Sequence, residues 1–402
     1  LIRGGLLRSK SVPATESRGS AEEKAQFKND ISPILWISAY PPDRGRLSEY
    51  AEALLSELVL LLRSKILVLS DRKLTKPGLY VEVKPVWRPD KLSSILRLWV
   101  EIIRSKSKVV HFNIHLAVFG RSRIVNFLGL MSVAVARLSM KKVIVTLHNI
   151  PEGIKLDVVG MNGLLNRVGL SIATKIILSS AHVVVVLVKR YVELLRKRYG
   201  VNNVVWVPHG AWFTDVPTTW RFHDGKLRVL FLGHLSPYKD LKTLSDAVKE
   251  LGGELIISGS PHPNFADEGK RALIDILKEG HVKYLGYVEN GRLPELVSNI
   301  SVVALPYVTS TGTSGVVHLL SSLGAPFVAF ATRELMELME DGAGILLVKA
   351  SKDALKEGIK ALMNRQLAEE LSKRSRSFAL SRSWRRVAEA YLNLYTALLK
   401  KP

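Results

Sequence analysis

Four short runs of the chain gather residues able to grip an anion or move a proton. In Phe231-Leu232-Gly233-His234-Leu235-Ser236-Pro237-Tyr238-Lys239-Asp240, an apolar run stops at Gly233 and a helical pattern starts near Leu241. A glycine there lets the backbone approach a ligand closely. His234 and Lys239 add donors, and the helix start adds partial positive charge, a set suited to a diphosphate. The other reading is an ordinary strand-to-helix loop with a surface lysine.

In Leu305-Pro306-Tyr307-Val308-Thr309-Ser310-Thr311-Gly312-Thr313-Ser314-Gly315-Val316, seven residues are Thr, Ser or Gly. Small residues expose backbone N–H groups, and at a helix start these cradle anions. The alternative is a helix capped by the Ser314 hydroxyl, with no ligand. In Val145-Thr146-Leu147-His148-Asn149, His148 ends an apolar run and would face the mouth of a parallel sheet. There it can bond a sugar hydroxyl or pass a proton, or serve as a structural histidine. In Tyr40-Pro41-Pro42-Asp43-Arg44-Gly45-Arg46, Gly45 permits a tight loop and two arginines can face phosphate; a solvated turn is the alternative. None of these runs is a P-loop, a GxGxxG loop or an HExxH motif, and Asp and Glu form no metal-binding pattern.

The elements that must position these runs alternate in type. Short apolar, β-branched stretches (residues 33–39, 66–69, 109–112, 143–147 and 183–187 among them) are separated by helical patterns such as 47–62. Residues 210–226, with Gly210, Pro217, Thr218, Thr219 and Gly225, break the rhythm. It then restarts, with strands expected at 227–232, 254–258, 282–285, 301–305, 326–329 and 345–348. A βαβ rhythm implies parallel sheets covered by helices. The expected fold class is α/β, with two Rossmann-like doubly wound domains facing each other across a cleft. The expected divisions are a mobile basic tail (1–31), a first domain (32–213), a second domain (214–382) and a C-terminal helix (383–402) that crosses back to the first.

The 402 residues carry a net charge of +22, unevenly spread. Residues 1–213 hold 33 Lys and Arg against 15 Asp and Glu, whereas the remainder is nearly balanced. A basic half suits nucleic acid, an anionic membrane surface or phosphorylated substrates, or serves only solubility. No recognisable nucleic-acid-binding motif accompanies the charge. There is no cysteine, which removes disulfides and thiol chemistry and, with the Lys/Arg- and Val/Leu-rich composition, also fits a heat-adapted protein. No run reaches the roughly 18 apolar residues of a spanning helix. Residues 124–136 are read as buried core, or alternatively as a membrane-lying stretch flanked by Arg121, Arg123, Lys141 and Lys142. The N-terminal residues lack the apolar core of a secretory signal. A soluble cytoplasmic or peripheral protein is expected.

The order of the motifs resembles the family 4 glycosyltransferases of the two-Rossmann-domain (GT-B) type. The likeness spans residues 33–398 and is carried by "YPPDRGRLSEYAEALLSEL", "VIVTLHN", "VVWVPHG", "VLFLGHLSPYKDLKTLSDAV", "LGYVENGRLPELVSNISVVALPY", "SGVVHLLSSLGAPFVAF" and "SWRRVAEAYLNLY". It implies transfer of a sugar from a nucleotide-diphosphate sugar, usually with retention and without a bound metal. The acceptor would be a glycan or a polyprenyl-phosphate-linked sugar, and no nucleic acid is expected. The resemblance places the donor diphosphate on Gly45, Gly233, His234, Lys239, Ser314 and Gly315. It places the donor sugar and nucleotide near Tyr307, Thr311, Gly312, Thr313 and Val316, and catalysis on His148 and Lys239. His234 stands where the family usually has an arginine. The family's pair of glutamates falls on Thr311 and Leu319, neither of which is acidic. Two other readings remain: a catalytically inactive sugar-nucleotide-binding subunit, and a sugar-nucleotide epimerase.

Overall fold

The computed structural model describes residues 28–42, 45–71, 80–153, 164–261, 266–310 and 312–400. Two sheets form its frame. The first contains β1 (Lys28–Ile37), β2 (Ser64–Ser70), β3 (Val81–Pro85), β4 (Val109–Ile114), β5 (Lys142–Leu147), β6 (Val183–Val186) and β7 (Val204–Trp206). The second contains β8 (Arg228–Leu232), β9 (Glu254–Ser258), β10 (Val282–Gly286), β11 (Val302–Leu305), β12 (Phe327–Phe330) and β13 (Ile345–Val348). All pairings are parallel, in the orders β3-β2-β1-β4-β5-β6-β7 and β10-β9-β8-β11-β12-β13. Each order reverses once, between β1 and β4 and between β8 and β11. Chains leaving those strands diverge, so each sheet opens a crevice at that point.

The helices of the first domain are α1 (Arg46–Leu62), α2 (Leu92–Arg104), α3 (Arg123–Leu130), α4 (Ser132–Leu138), α5 (Leu164–Ser180) and α6 (Arg190–Tyr199). The second domain holds α7 (Leu241–Glu250), α8 (Ala266–Leu277), α9 (Leu293–Val297), α10 (Gly315–Leu320), α11 (Arg333–Glu340), α12 (Lys352–Ala361) and α13 (Arg365–Leu380). The last helix, α14 (Trp384–Lys400), packs on α1 of the first domain. Its apolar face repeats at helical spacing: Trp384, Val387, Ala388, Tyr391, Tyr395 and Leu398 are buried. Three hydroxyl contacts fix it there. Tyr391 meets Tyr50 at 3.0 Å and Thr146 at 2.7 Å, and Tyr395 meets His111 Nδ1 at 2.6 Å.

The central strands are buried end to end; β4, β11 and β12 show no exposed residue. That follows from their near-continuous Val, Ile, Leu and Phe content, as helices cover both faces. The expected strands appear within a few residues of their sequence-based bounds. β1 begins at Lys28, four residues inside the segment read as a tail; residues 1–27 lie outside those described. Residues 124–136 form α3 and α4 rather than one continuous stretch. Val125, Leu130, Val133 and Ala136 are buried, so this segment is mostly core and only Ile124 stands well exposed.

The two domains dock through more than α14. Backbone N–H groups of Lys189 and Arg190, at the start of α6, donate to the Glu337 carboxylate of α11 at 2.6 and 3.1 Å. Tyr191 O–H donates to Glu334 at 3.2 Å. Asp341 binds both Lys189 and Arg382.

Candidate functional site

Gly233 leaves β8 at the reversal point of the second sheet, with φ at +130°. A side chain is disfavoured there by conformation. A Cβ at Gly233 would stand 3.1 Å from Lys239 Nζ and 3.6 Å from Val316 Cγ2. The absence of a side chain thus brings three sequence motifs to one point: the β8 exit, the lysine and the first turn of α10.

Lys239 is held by its surroundings. Its backbone pairs antiparallel with Tyr307, which follows β11 on the other side of the reversal point. Its ammonium lies 5.0 Å from the Tyr307 ring centroid, 5.6 Å from Phe231 and 6.0 Å from Tyr238. Such rings attract a cation through their negative faces. Asp240 then ends the loop: its carboxylate accepts from Thr243 N at 3.1 Å and starts α7. Tyr307 is itself buried and packs beside the lysine. His234 follows Gly233 in the chain and is half-buried.

Ser314 occupies the N-cap position of α10, yet its side chain makes no capping bond. Its hydroxyl is buried without a hydrogen-bond partner among the described residues. The capped-helix alternative therefore fails at the hydroxyl itself. Buried polar atoms are almost always partnered, so an orphan of this kind marks a place for an outside acceptor or donor. Gly315 opens the helix, half-buried. Thr313 places its hydroxyl 2.9 Å from His318 Nε2. Thr311 lies outside the described residues. Leu319 is 2% exposed and belongs to the core of the second domain, so that position faces inward.

The first domain supplies a matching arrangement at its own reversal point. Asn113, at the end of β4, donates through Nδ2 to Ser38 Oγ at 2.9 Å and to the Leu47 carbonyl at 3.3 Å. These two acceptors fix the amide orientation and turn Oδ1 toward His148 Nε2, 2.7 Å away. Burial, followed by the neighbouring His209, His115 and His111, holds the His148 pKa well below its ordinary value. The ring is therefore neutral near pH 7, and its single proton sits on Nε2. Nδ1 is left as an acceptor, suited to a sugar hydroxyl. Leu47 also carries the link back to Gly45, the N-cap residue of α1, whose φ of −86° needs no glycine. Its neighbours Asp43 and Arg44 lie outside the described residues.

The halves meet at Gly312. A Cβ there would fall 2.5 Å from the His148 carbonyl oxygen. One backbone from each domain thus touches at the base of the cleft. Beside them, His209, just before the interdomain segment, stacks on His318 at 4.6 Å and 15°. Its Nδ1 donates to the Gly210 carbonyl at 2.8 Å. His318 is fully buried, with Nδ1 unpartnered among the described residues, and burial keeps it neutral.

The described contacts form a continuous chain from Gly45's helix through Asn113, His148 and Gly312 to the α10 start, Gly233 and Lys239. Asn113, His209 and His318 were not singled out from the sequence. The alternation of His111, Asn113 and His115 in "HFNIH" was a usable signal, because polar residues at period two inside an otherwise apolar strand all share one face. Among the described residues, no group of three or more His, Asp or Glu could hold a metal ion. A surface cleft of about 510 Å3, lined by Asp341, Glu370, Lys373 and Arg374, shares none of these residues.

Comparison with known proteins bears on the fold. Sucrose-phosphate synthase from Thermosynechococcus elongatus superposes with a TM-score of 0.76 over 92% of this chain and 100% of that one, at 16% identity. The chain has the GT-B fold. Anabaena HepE in complex with UDP-glucose gives a TM-score of 0.66 at 15% identity, over 90% of this chain and 99% of that one. WaaG, a glycosyltransferase involved in lipopolysaccharide biosynthesis, gives 0.67 at 11% identity, over 90% and 99%. Residues 226–365 match the family described as Glycosyl transferases group 1. That span begins just before β8 and ends at the start of α13, so it takes in Gly233, Lys239 and the α10 loop. A comparison with curated protein sequences finds no match.

Proposed function

We propose that this GT-B protein is a glycosyltransferase that takes its sugar from a nucleotide-diphosphate donor bound by the second domain. The observation that carries the reading is the meeting of Lys239 and the first turn of α10 at the bare backbone of Gly233, with the orphaned Ser314 hydroxyl at the start of that turn. An ammonium, a hydroxyl and the backbone N–H groups of a helix start are a complementary set for a diphosphate. The UDP and UDP-glucose complexes of HepE concern that protein, but they lend the same ligand class support here.

In the proposed reaction the bond between the anomeric carbon and the diphosphate oxygen breaks, and negative charge develops on the leaving group. Lys239 and the groups at Ser314 and Gly315 stabilise that charge in place. The acceptor oxygen bonds to the anomeric carbon from the same face, and its proton passes to the leaving phosphate oxygen. Retention follows from that single-face path. His148, neutral and with Nδ1 unprotonated, accepts a hydrogen bond from a hydroxyl of the transferred sugar rather than donating one. No metal has a part in this scheme. The acceptor we propose is a glycan or a polyprenyl-phosphate-linked sugar reached at the cytoplasmic face of a membrane.

One observation favours a second reading, the inactive donor-binding subunit: Leu319 is core where the resembling family has a glutamate. A thermal-shift screen against nucleotide-diphosphate sugars, followed by turnover with lipid-linked and free glycan acceptors, separates the readings. A donor that raises the melting temperature and is consumed only with acceptor supports the transferase. Binding without any turnover supports the inactive subunit, and interconversion of the free donor supports an epimerase.

A further inference from the structure

The first domain carries an apolar stripe that no part of the described chain covers. Along α2, Leu92, Leu96, Val100 and Ile103 are all exposed, Ile103 by 56%. At 100° per residue they fall within one narrow arc of the helix. The opposite arc, with Ile95, Leu98 and Ile102, is buried in the core. α4 lies alongside: Trp99 Nε1 donates to Ser132 Oγ at 2.9 Å, and Lys141, just past α4, donates to the Ser105 carbonyl at the end of α2. This alignment sets Leu138 (82% exposed) and Met140 (90% exposed) beside the Ile103 end of the stripe. At the other end, Ser122 N donates to Asp90 at 2.6 Å, which brings Ile124 (69% exposed) next to Leu92. The exposed apolar arc of α2 is thus flanked at its two ends by segments that carry further exposed apolar side chains, Ile124 at one and Leu138 and Met140 at the other.

Charge decides what would cover it. Residues 88–142 hold eleven Lys and Arg and only two acids, Asp90 and Glu101. Asp90 accepts from Ser122 N, and Glu101 is paired with Lys84 at 2.6 Å. The segment that bears the exposed apolar residues therefore carries a surplus of nine positive charges, out of +22 for the chain. Arg97 and Arg104 follow the apolar arc on α2, and both are exposed. A protein partner covering an apolar strip of this kind would need a matching acidic rim. A second copy would set like charges against each other. A bilayer with anionic headgroups answers both features, since acyl chains take the apolar side chains and headgroups take the rim.

We propose that α2, the α3 start and the α4 end form a docking face for an anionic lipid surface. No helix is long and apolar enough among the described residues to cross a membrane, so the contact lies in the interface plane. The proposal deepens the transferase reading by placing its acceptor side on a membrane, but it is read without any sugar donor. Loss of one therefore leaves the other standing.

The test is flotation of the full chain with vesicles of phosphatidylcholine alone or mixed with phosphatidylglycerol. Binding is expected to the mixed vesicles only, and to weaken as sodium chloride is raised. Leu96→Ser with Ile103→Ser and Met140→Ser should lower the partition constant by more than roughly tenfold. Arg97→Ala with Arg104→Ala should lower it about twenty-five-fold, at roughly fivefold per basic residue near an anionic surface. Ile274→Ser, an exposed apolar residue of α8 in the second domain, should change nothing. Because every altered side chain is exposed, the melting temperature should hold in each variant. Failure of the wild-type chain to float with mixed vesicles overturns the proposal. So does equal binding by the triple variant, or a dimer that the triple variant dissolves without any vesicle binding.

Discussion

Replacing Gly312 by Ala probes the join between the two halves of the site. The new methyl would stand 2.5 Å from the His148 carbonyl oxygen, where ordinary contact starts near 3.4 Å. The shortfall is therefore close to 0.9 Å, and the obstructing atom is backbone. Neither loop can relieve it by turning a side chain, so one backbone must draw away from the other where the two domains meet. Forcing an extra methyl into a packed contact costs about 1–3 kcal/mol in shifts of the surrounding structure. Misplacing a reacting group by roughly 1 Å costs on the order of a hundredfold in rate. Donor binding should suffer much less, because Lys239, Gly233 and Ser314 all belong to the second domain. We expect Gly312→Ala to lower kcat about 10–100-fold while the donor Kd moves less than about threefold. Steady-state kinetics paired with donor titration by calorimetry reads both. Gly291→Ala, where a Cβ meets nothing within 4 Å, is the matched control. A Gly312→Ala enzyme with unchanged kcat would refute the interdomain reasoning. Parallel collapse of donor affinity would refute the division of labour between the domains.

Other perturbations separate structure from chemistry. Lys239→Ala should lower kcat about 100–1,000-fold, the usual loss on removing one donor from a developing anion, with the melting temperature little changed. Leu319→Glu should not restore a family-like ribose contact. The side chain is 2% exposed in the core, so it should cost about 3 kcal/mol or more by urea unfolding. The contribution of the buried histidines to stability should be flat above about pH 6.5 and fall below it. The folded-state pKa values of His111 (lowered to about 3), His148 and His318 are all depressed by burial, so below that pH the unfolded chain binds more protons. Each of these histidines adds a slope of about 1.4 kcal/mol per pH unit at most, and His111→Phe should make the acid limb measurably shallower.

Much of the fold was legible because its signal is local. Strand β6 is four consecutive valines, and α14 repeats its apolar face from Trp384 to Leu398; neither leaves much choice of element type. The order of such elements then fixes a parallel, right-handed winding. The positions of the Gly233 and Ser314 motifs were legible for the same reason, since they sit at strand and helix ends that the pattern marks. What the sequence could not show was convergence. Asn113 acquires its meaning from Ser38 and the Leu47 carbonyl, 75 and 66 positions away. His318 faces His209 only because the chain entering the interdomain segment folds back over α10. Residues 124–136 read as one apolar stretch, but chain periodicity cannot tell which helix a neighbour will cover. The exposed strip turned out to lie mainly on α2, whose outer arc is as apolar as its inner one.

The diphosphate grip is tested most directly by calorimetric titration of wild-type and Lys239→Ala proteins with nucleoside diphosphates and the matching free nucleosides. The account predicts that one diphosphate binds the wild-type protein at least roughly tenfold more tightly than its nucleoside, and that this advantage disappears in Lys239→Ala. An undiminished diphosphate preference in Lys239→Ala, or no diphosphate preference in the wild type, would contradict it.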